Sequence, residues 1–421
     1  MRIQRFDWDG GEPQTLAGEI RALQPPLGEV TESVAEIIAQ VRGGGDTAVA
    51  EIEARFGEGP PTPESFRQPE EALESAASKV DSELRSALET AAANIRAVAE
   101  AQLPDDRRVE LSQGQSVDLR EIPVSSAAIY APGGTAAYPS TVLMGCIPAK
   151  VAGVGRVVVA TPSPVSDVTL AAAAIAGADE VYAVGGAQAI AALAIGTERI
   201  APVDVIAGPG NRYVQEAKRL LAGEVGIDGI AGPSELMVIA GDTASAEWIA
   251  LDLCAQAEHG PDGLLVASAV ETVILDAIQE SVEGIAAERG LAEDAALALV
   301  AVPETETGVA LANAIAPEHL EIITEDAELL AGRVTTAGCV FVGERSATAF
   351  GDYAAGSNHV LPTGGAGRFQ GPLGPGAFRR RIATVEVTQA AARGLAPTVA
   401  TLARAEGFPL HAESAEARTE D

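Results

Sequence analysis

The chain carries four histidines, and none lies in a plain apolar stripe: Gln256-Ala-Glu-His259-Gly, Pro317-Glu-His319-Leu, Ser357-Asn-His359-Val and Pro409-Leu-His411-Ala. Imidazoles beside carboxylates, amides, Gly or Pro suit a site, although a satisfied structural histidine also fits each one alone. Gln256 and His259 are three residues apart in a predicted helix and so share a face, which would let both hold one metal ion. The same spacing fits a solvated helix face. Asp352, in Phe350-Gly-Asp352-Tyr, offers a hard oxygen ligand. A mixed nitrogen and oxygen set suits zinc better than copper or an iron–sulfur cluster. Glu318 and His319 are adjacent behind Pro317, between a helical pattern (Val309, Ala312, Ile315) and a strand. An acid next to an imidazole can supply two proton-transfer groups to one pocket; an ordinary surface-loop pair is the plainer reading.

The elements that must position these groups alternate along the chain. Val34, Ile37, Ile38 and Val41 have helical spacing, with a stop expected at Gly43-Gly44-Gly45, and an Ala-rich helix is predicted over 71–101. From Ser126 onward, β-branched runs at 127–130, 157–160, 181–184 and 205–207 alternate with Ala-rich helices. This pattern predicts α/β architecture with a mostly parallel sheet. Further strands are expected near 264–267, 299–302 and 320–324. Several strand ends run into glycine, at Gly133-Gly134, Gly185-Gly186 and Gly208-Pro-Gly210, and in open α/β sheets ligands bind off the carboxyl ends. Residues 1–24 read as a turn-rich extension ending at Pro25-Pro26, and the last fifty or so residues read as helical and acidic. No strict repeat is visible, although two α/β lobes leave room for an old duplication. Gly153-Val-Gly155 precedes a strand and lacks a third glycine, so the usual dinucleotide fingerprint is missing.

With 421 residues, the chain is long enough for two or three domains. Its formal net charge of -32 opposes nucleic acid and anionic membranes as partners. Lys79, Lys150 and Lys218 are the only lysines. An acidic, lysine-poor surface fits solubility in concentrated salt, where screening acts over about 3 Å at 1 M and relieves self-repulsion. Thermal melts in low and molar salt should therefore differ, with the high-salt sample melting higher. An unchanged or lowered melting point in salt would count against salt adaptation. Cys146, Cys254 and Cys339 are odd in number and far apart, which implies neither a disulfide scaffold nor a zinc ribbon. The beginning of the chain has no apolar signal run, so a cytoplasmic location is expected.

The ordered motifs narrow the reading further. Tyr130-Ala-Pro-Gly-Gly-Thr-Ala-Ala-Tyr-Pro-Ser, Val184-Gly-Gly-Ala-Gln188-Ala-Ile, Gly208-Pro-Gly-Asn211, Ile230-Ala-Gly-Pro-Ser234-Glu, Gln256-Ala-Glu-His259, Ala316-Pro-Glu318-His319-Leu, the run from Gly351-Asp352 to His359-Val-Leu-Pro-Thr, and Glu406-Gly-Phe-Pro-Leu-His411 succeed one another. From about residue 30 to His411 the chain resembles the histidinol dehydrogenases. Residues 125–129 depart from a more usual glycine-containing strand, and the tail after His411 is unusually acidic.

The resemblance implies two incomplete Rossmann-like α/β domains with small N-terminal and C-terminal helical extensions, in an intertwined homodimer. It divides the chain into an N-terminal extension (1–24), an α/β domain carrying zinc and the acid–base residues (25–128 plus 236–373), an NAD-binding α/β domain (129–235), and a C-terminal extension (374–421) that completes the partner's active site. It further implies zinc ligands at Gln256, His259, Asp352 and His411, and an acid–base pair at Glu318 and His319. NAD contacts fall at Tyr130, Gln188 and Asn211. Substrate contacts fall at Ser234, His359 and Glu406, together with His319 and the zinc ligands. The implied activity is NAD-dependent oxidation of L-histidinol to L-histidine through a bound aldehyde, late in histidine biosynthesis.

A cysteine nucleophile is the rival route for aldehyde oxidation. Cys254 lies two residues from Gln256 and so on another helix face. A relative that oxidises another polar primary alcohol is opposed by the presence of Glu406 and His411. A non-catalytic α/β binding protein is opposed by the complete set of ligands and acid–base residues.

Overall fold

The alternating runs fold into two parallel sheets and one small antiparallel sheet. The computed structural model describes residues 1–24, 29–56, 62–133, 137–291 and 295–420. Pro25-Pro26 and Gly134, an expected end and part of an expected turn, lie outside them.

The five-stranded sheet has the order β6 (Glu180–Ala183), β5 (Arg156–Thr161), β4 (Ser126–Tyr130), β7 (Val205–Ala207) and β8 (Gly226–Ile227), all parallel. Both faces are buried, so successive side chains enter different cores: Ala127, Ile129, Val157 and Val159 on one side, Ala128, Tyr130, Val158 and Ala160 on the other. The first core is closed by α3 (Glu70–Lys79), α4 (Ser82–Ala101), α5 (Pro139–Val151) and α6 (Asp167–Ala176). The second is closed by α2 (Thr31–Phe56), α7 (Gly186–Ile195) and α8 (Arg212–Leu221).

Three expectations change here. The sequence reading groups 25–128 with 236–373, but α2, α3 and α4 lay their apolar stripes on the five-stranded sheet. The single helix expected over 71–101 is two helices, because Asp81 caps α4 by accepting the Leu84 N–H at 2.8 Å. The expected stop at Gly43-Gly44-Gly45 is a junction inside α2, where Gly45 takes a φ of +53° that other residues rarely adopt.

The six-stranded sheet has the order β1 (Arg2–Asp7), β11 (Ala296–Ala301), β10 (Leu264–Ala269), β9 (Glu235–Ala240), β12 (His319–Ile323) and β13 (Cys339–Val342), again all parallel. α1 (Pro13–Arg21) and α11 (Thr305–Ile315) cover the face that includes Met237, Leu320 and Ile322. α9 (Ala246–Ala257) and α10 (Thr272–Arg289) cover the opposite face. α12 (Ala327–Ala331) and α13 (Thr348–Tyr353) flank β13 in the chain. Residues 1–24 are therefore no separate extension: β1 completes the sheet edge, and Leu16, Ala17 and Ile20 join the core. Without β1, both sheets repeat one arrangement, with the third strand, second, first, fourth and fifth side by side.

β2 (Arg107–Glu110), β3 (Ser116–Pro123) and β14 (Arg379–Glu386) form the antiparallel sheet, so the C-terminal part opens on a strand where only helix was expected. α14 (Gln389–Ala405) and α15 (Pro409–Glu416) follow. They pack on each other around Ala400, Ala403 and Ala412, too little for a core of their own. Leu402, Phe408 and Leu410 remain 60%, 54% and 74% exposed. Among the described residues, no helix is long and apolar enough to cross a membrane.

Candidate active site

β12 begins at His319, directly after Glu318, and both side chains are organised by the main chain of Glu235 at the start of β9. The Glu235 N–H donates to Glu318 Oε2 at 2.9 Å, and His319 Nδ1 lies 3.2 Å from the Glu235 carbonyl. A carbonyl can only accept, so Nδ1 carries a proton, and Nε2 is the acceptor whenever the ring is neutral. Nε2 is buried and lies 3.3 Å from Asp352 Oδ1. Glu235 is itself buried. Its carboxylate takes Arg21 Nη1 at 2.8 Å and the Gly364 N–H at 3.1 Å. Arg21, on α1, thus reaches the site from a segment that sequence reading set aside.

Burial pushes the Glu318 carboxyl up to about 7. Burial opposes charge on His319 as well, but Glu318 and then Asp352 outweigh it and lift the imidazole to about 9. Burial also opposes charge on Asp352. The neighbouring His319, followed by His359 and His259, nevertheless holds that carboxyl below its usual range. These interactions bring His259, His319, Asp352 and His359 into one electrostatic cluster.

Gln256 lies in the last turn of α9, buried, with Nε2 lacking a hydrogen-bond partner. His259 is not on the same helix, because α9 is capped at Glu258 and His259 follows in the exposed turn. α13, which carries Asp352, packs against α9. His359 Nδ1 lies 2.9 Å from the Asp352 carbonyl and Nε2 lies 3.1 Å from Thr141 Oγ1 on α5, so this ring bridges the two lobes. Its pKa is lowered, chiefly by burial. Ser234, half-buried, immediately precedes β9.

His411 and Glu406 are not brought to this cluster. His411 lies in α15, with its ring 5.5 Å from that of Phe408, and Glu406 caps α14. No hydrogen bond, ion pair or ring contact among the described residues joins either to the other candidates. Nor do the chain's own His, Cys, Asp and Glu form a group of three suited to a metal, among the described residues.

On the five-stranded sheet, Tyr130, Gln188 and Asn211 all lie off the carboxyl edge, where β4 and β7 diverge in their connections. The buried Tyr130 hydroxyl accepts the Gly186 N–H at 3.0 Å. Gln188 donates to Glu53 Oε1 at 2.7 Å, and the Gly185 N–H donates to the same oxygen at 2.9 Å. Asn211 caps α8, accepting the N–H groups of Tyr213 and Val214. The Gly208 turn is clamped by a buried ion pair. Lys218 Nζ lies 2.5 Å from Asp228 Oδ1 and donates to the Gly208 carbonyl at 3.0 Å, while Asp228 Oδ2 takes the Gly208 N–H at 2.8 Å. Gly208 has a φ of +118°, and a Cβ there would come within 2.2 Å of the Tyr130 carbonyl.

Sequence reasoning missed Glu53, Lys218, Asp228, Glu235 and Arg21. Two of them carried a signal, Lys218 as one of three lysines and Glu235 as the last residue of the Ile230-Ala-Gly-Pro-Ser234-Glu motif. The cysteines offer no thiolate: burial pushes the Cys254 thiol up to about 11 and raises Cys146 and Cys339 as well.

Comparison with known proteins gives a consistent picture. Residues 24–419 match the family model described as histidinol dehydrogenase. The histidinol dehydrogenase of Ruegeria pomeroyi is 45% identical over 93% of this chain and 92% of its own length. That of Natronomonas pharaonis is 46% identical over 93% and 94%. The crystal structure of histidinol dehydrogenase from Elizabethkingia anophelis superposes with a TM-score of 0.91 at 31% identity, covering 99% of this chain and 98% of that one.

Proposed function

The chain belongs to the histidinol dehydrogenase family of oxidoreductases, and from that premise we propose that it oxidises L-histidinol to L-histidine with two molecules of NAD in turn. One observation carries the mechanism. Glu318 and His319 are anchored side by side on the Glu235 main chain, which leaves the buried His319 Nε2 as the acceptor whenever the ring is neutral. In the first oxidation His319 takes the proton of the substrate hydroxyl as hydride leaves the carbinol carbon. In the second, Glu318 takes a proton from water as its oxygen bonds to the aldehyde carbon. The resulting hydrate anion loses a second hydride to give the carboxylic acid, which releases a proton to become the carboxylate. Four electrons leave as two hydrides, and the added oxygen comes from water. Bound NAD supplies the hydride acceptor, off the edge that carries Tyr130, Gln188 and Asn211.

The residues fit a zinc ion. Gln256 is buried with its amide nitrogen unpartnered, so the amide is not committed through that nitrogen and its oxygen is the atom that can serve a cation, while Asp352 and His259 interact electrostatically. We assign Gln256, His259 and Asp352 from one chain, with His411 from a second copy. Zinc there would orient the substrate and polarise its hydroxyl. With Asp352 committed to a cation, its charge no longer favours a proton on His319. Ser234, His359 and Glu406 complete the substrate's surroundings.

The exposed Leu402, Phe408 and Leu410 on a segment without its own core support a homodimer in which that segment docks on the partner. Two NADH should form per L-histidinol consumed. Chelation should abolish turnover, and added zinc should restore it. Full activity in protein shown to be metal-free would overturn the metal assignment.

A further inference from the structure

β12 is buried along its whole length, as a central strand of a parallel sheet should be. Its Leu320 and Ile322 enter the core under α1 and α11. By strand alternation, His319 and Glu321 face the other way, towards α9 and α10. His319 has a role in the proposed reaction. Glu321 has none, yet it is only 1% exposed.

Its partners explain its position. Glu321 Oε1 takes the Thr348 N–H at 2.8 Å and the Thr348 hydroxyl at 2.7 Å, at the first residue of α13. Asp352 is four residues further along that helix. Glu321 Oε2 is buried with no donor aimed at it, and Glu321 interacts with the Asp252 carboxyl on α9. Gln256 stands four residues after Asp252, on the same helix face. Two carboxyls can bond only if one retains a proton. Burial raises both above the usual carboxylate range, which favours that proton, and Thr348 secures the other oxygen of Glu321.

We propose that Asp252 and Glu321 are positioning residues: a proton-sharing carboxyl pair that ties α9, β12 and α13 together and sets the spacing of Gln256, His319 and Asp352. The inference uses the metal reading above for one of its tests but not for the other. Among the described residues no hydrogen bond or ion pair joins either carboxyl to the candidate ligands; the pair acts through Thr348 on one side and one helical turn of α9 on the other.

Amide exchange in the metal-free, full-length protein reads the placement directly. Glu321→Ala should speed exchange over residues 348–354 by about five- to tenfold, the scale of a lost helix cap, and leave α10 unchanged. Glu321→Gln keeps an acceptor for Thr348 and gives Asp252 a donor, so it should stay near wild type. So should Asp252→Asn, whose amide replaces the shared proton. Thr348→Val, which loses only the hydroxyl bond, should fall between, and it serves if Glu321→Ala does not fold.

Zinc competition against a chelator gives the second readout. Glu321→Ala should weaken binding by about 10–100-fold, with Glu321→Gln restoring it. A core variant such as Leu275→Ala should lower the melting temperature without that loss. Wild-type exchange in Glu321→Ala, or equal damage in Glu321→Gln, would overturn the proposal. Failure of the wild-type protein to bind zinc would instead strike the metal assignment, and the exchange comparison would still decide the pair's role.

Discussion

Replacing His319 by Ala should lower turnover of L-histidinol by about two to four orders of magnitude, the usual contribution of a positioned general base. The geometry gives the reason. Nδ1 is held by the Glu235 carbonyl, so the ring is oriented, and once a cation claims Asp352 the buried Nε2 is the atom left to accept a proton. Alanine leaves the hydroxyl proton without an acceptor. Glu318→Gln tests the other half. Gln can still accept the Glu235 N–H that now binds Oε2, so the local structure should survive while the carboxylate's basicity is lost. Its first hydride transfer should be spared more than the aldehyde step, because only the latter consumes water. Each variant should be assayed separately with L-histidinol and with L-histidinal. Equal losses of Glu318→Gln on both substrates would refute the division of labour.

Activity should return when two inactive chains are mixed. The His319→Ala chain and the His411→Ala chain should each be inactive alone, since His319 lies in the cluster and His411 is assigned as the metal's fourth ligand. His411 sits on α15, which packs on α14, and among the described residues no hydrogen bond, ion pair or ring contact joins it to the cluster of its own chain. If each site takes His411 from its partner, the mixed dimer has one site with both mutations and one with neither. Random exchange at equal amounts makes half of the dimers mixed, so about a quarter of the wild-type sites should be restored. Sites built from single chains would stay damaged in every dimer. No recovered activity, with subunit exchange verified by mass, would overturn the shared site.

The groups that could do chemistry were legible because their types were unusual where they stood. Histidines beside Gln, Glu, Asn and Pro attract notice in any context. The groups that hold them were not legible, because they act across long separations and often through the main chain. Glu318 meets Glu235 across 83 positions, and Arg21 meets Glu235 across 214. No periodicity links such pairs. Glu321 is different: an acid inside Leu320-Glu321-Ile322, in a stretch read as a strand, was a visible conflict between burial and charge. The central strands were readable from their β-branched runs. β1 and β14 were not, because they are largely exposed edge strands, and Arg379-Arg-Arg-Ile-Ala-Thr-Val-Glu has no continuous apolar run to mark it.

The shared strand order of the two lobes has a historical consequence. The five-stranded sheet presents its carboxyl edge to the candidate site, through Tyr130 and the Gly185 and Gly208 turns. The six-stranded sheet presents its amino edge, through Ser234, Glu235, Glu318, His319 and the end of α9. Had two copies of one ancestral unit been set to work from opposite ends, they would have inherited no common functional positions. A residue that selection fixes in one copy has a counterpart in the other that points away from the chemistry and is free to drift. Such a pair keeps its wiring, because packing demands it, and loses its sequence likeness everywhere else. A search for repeated motifs would then find none, and the kinship would persist only in the order of the strands.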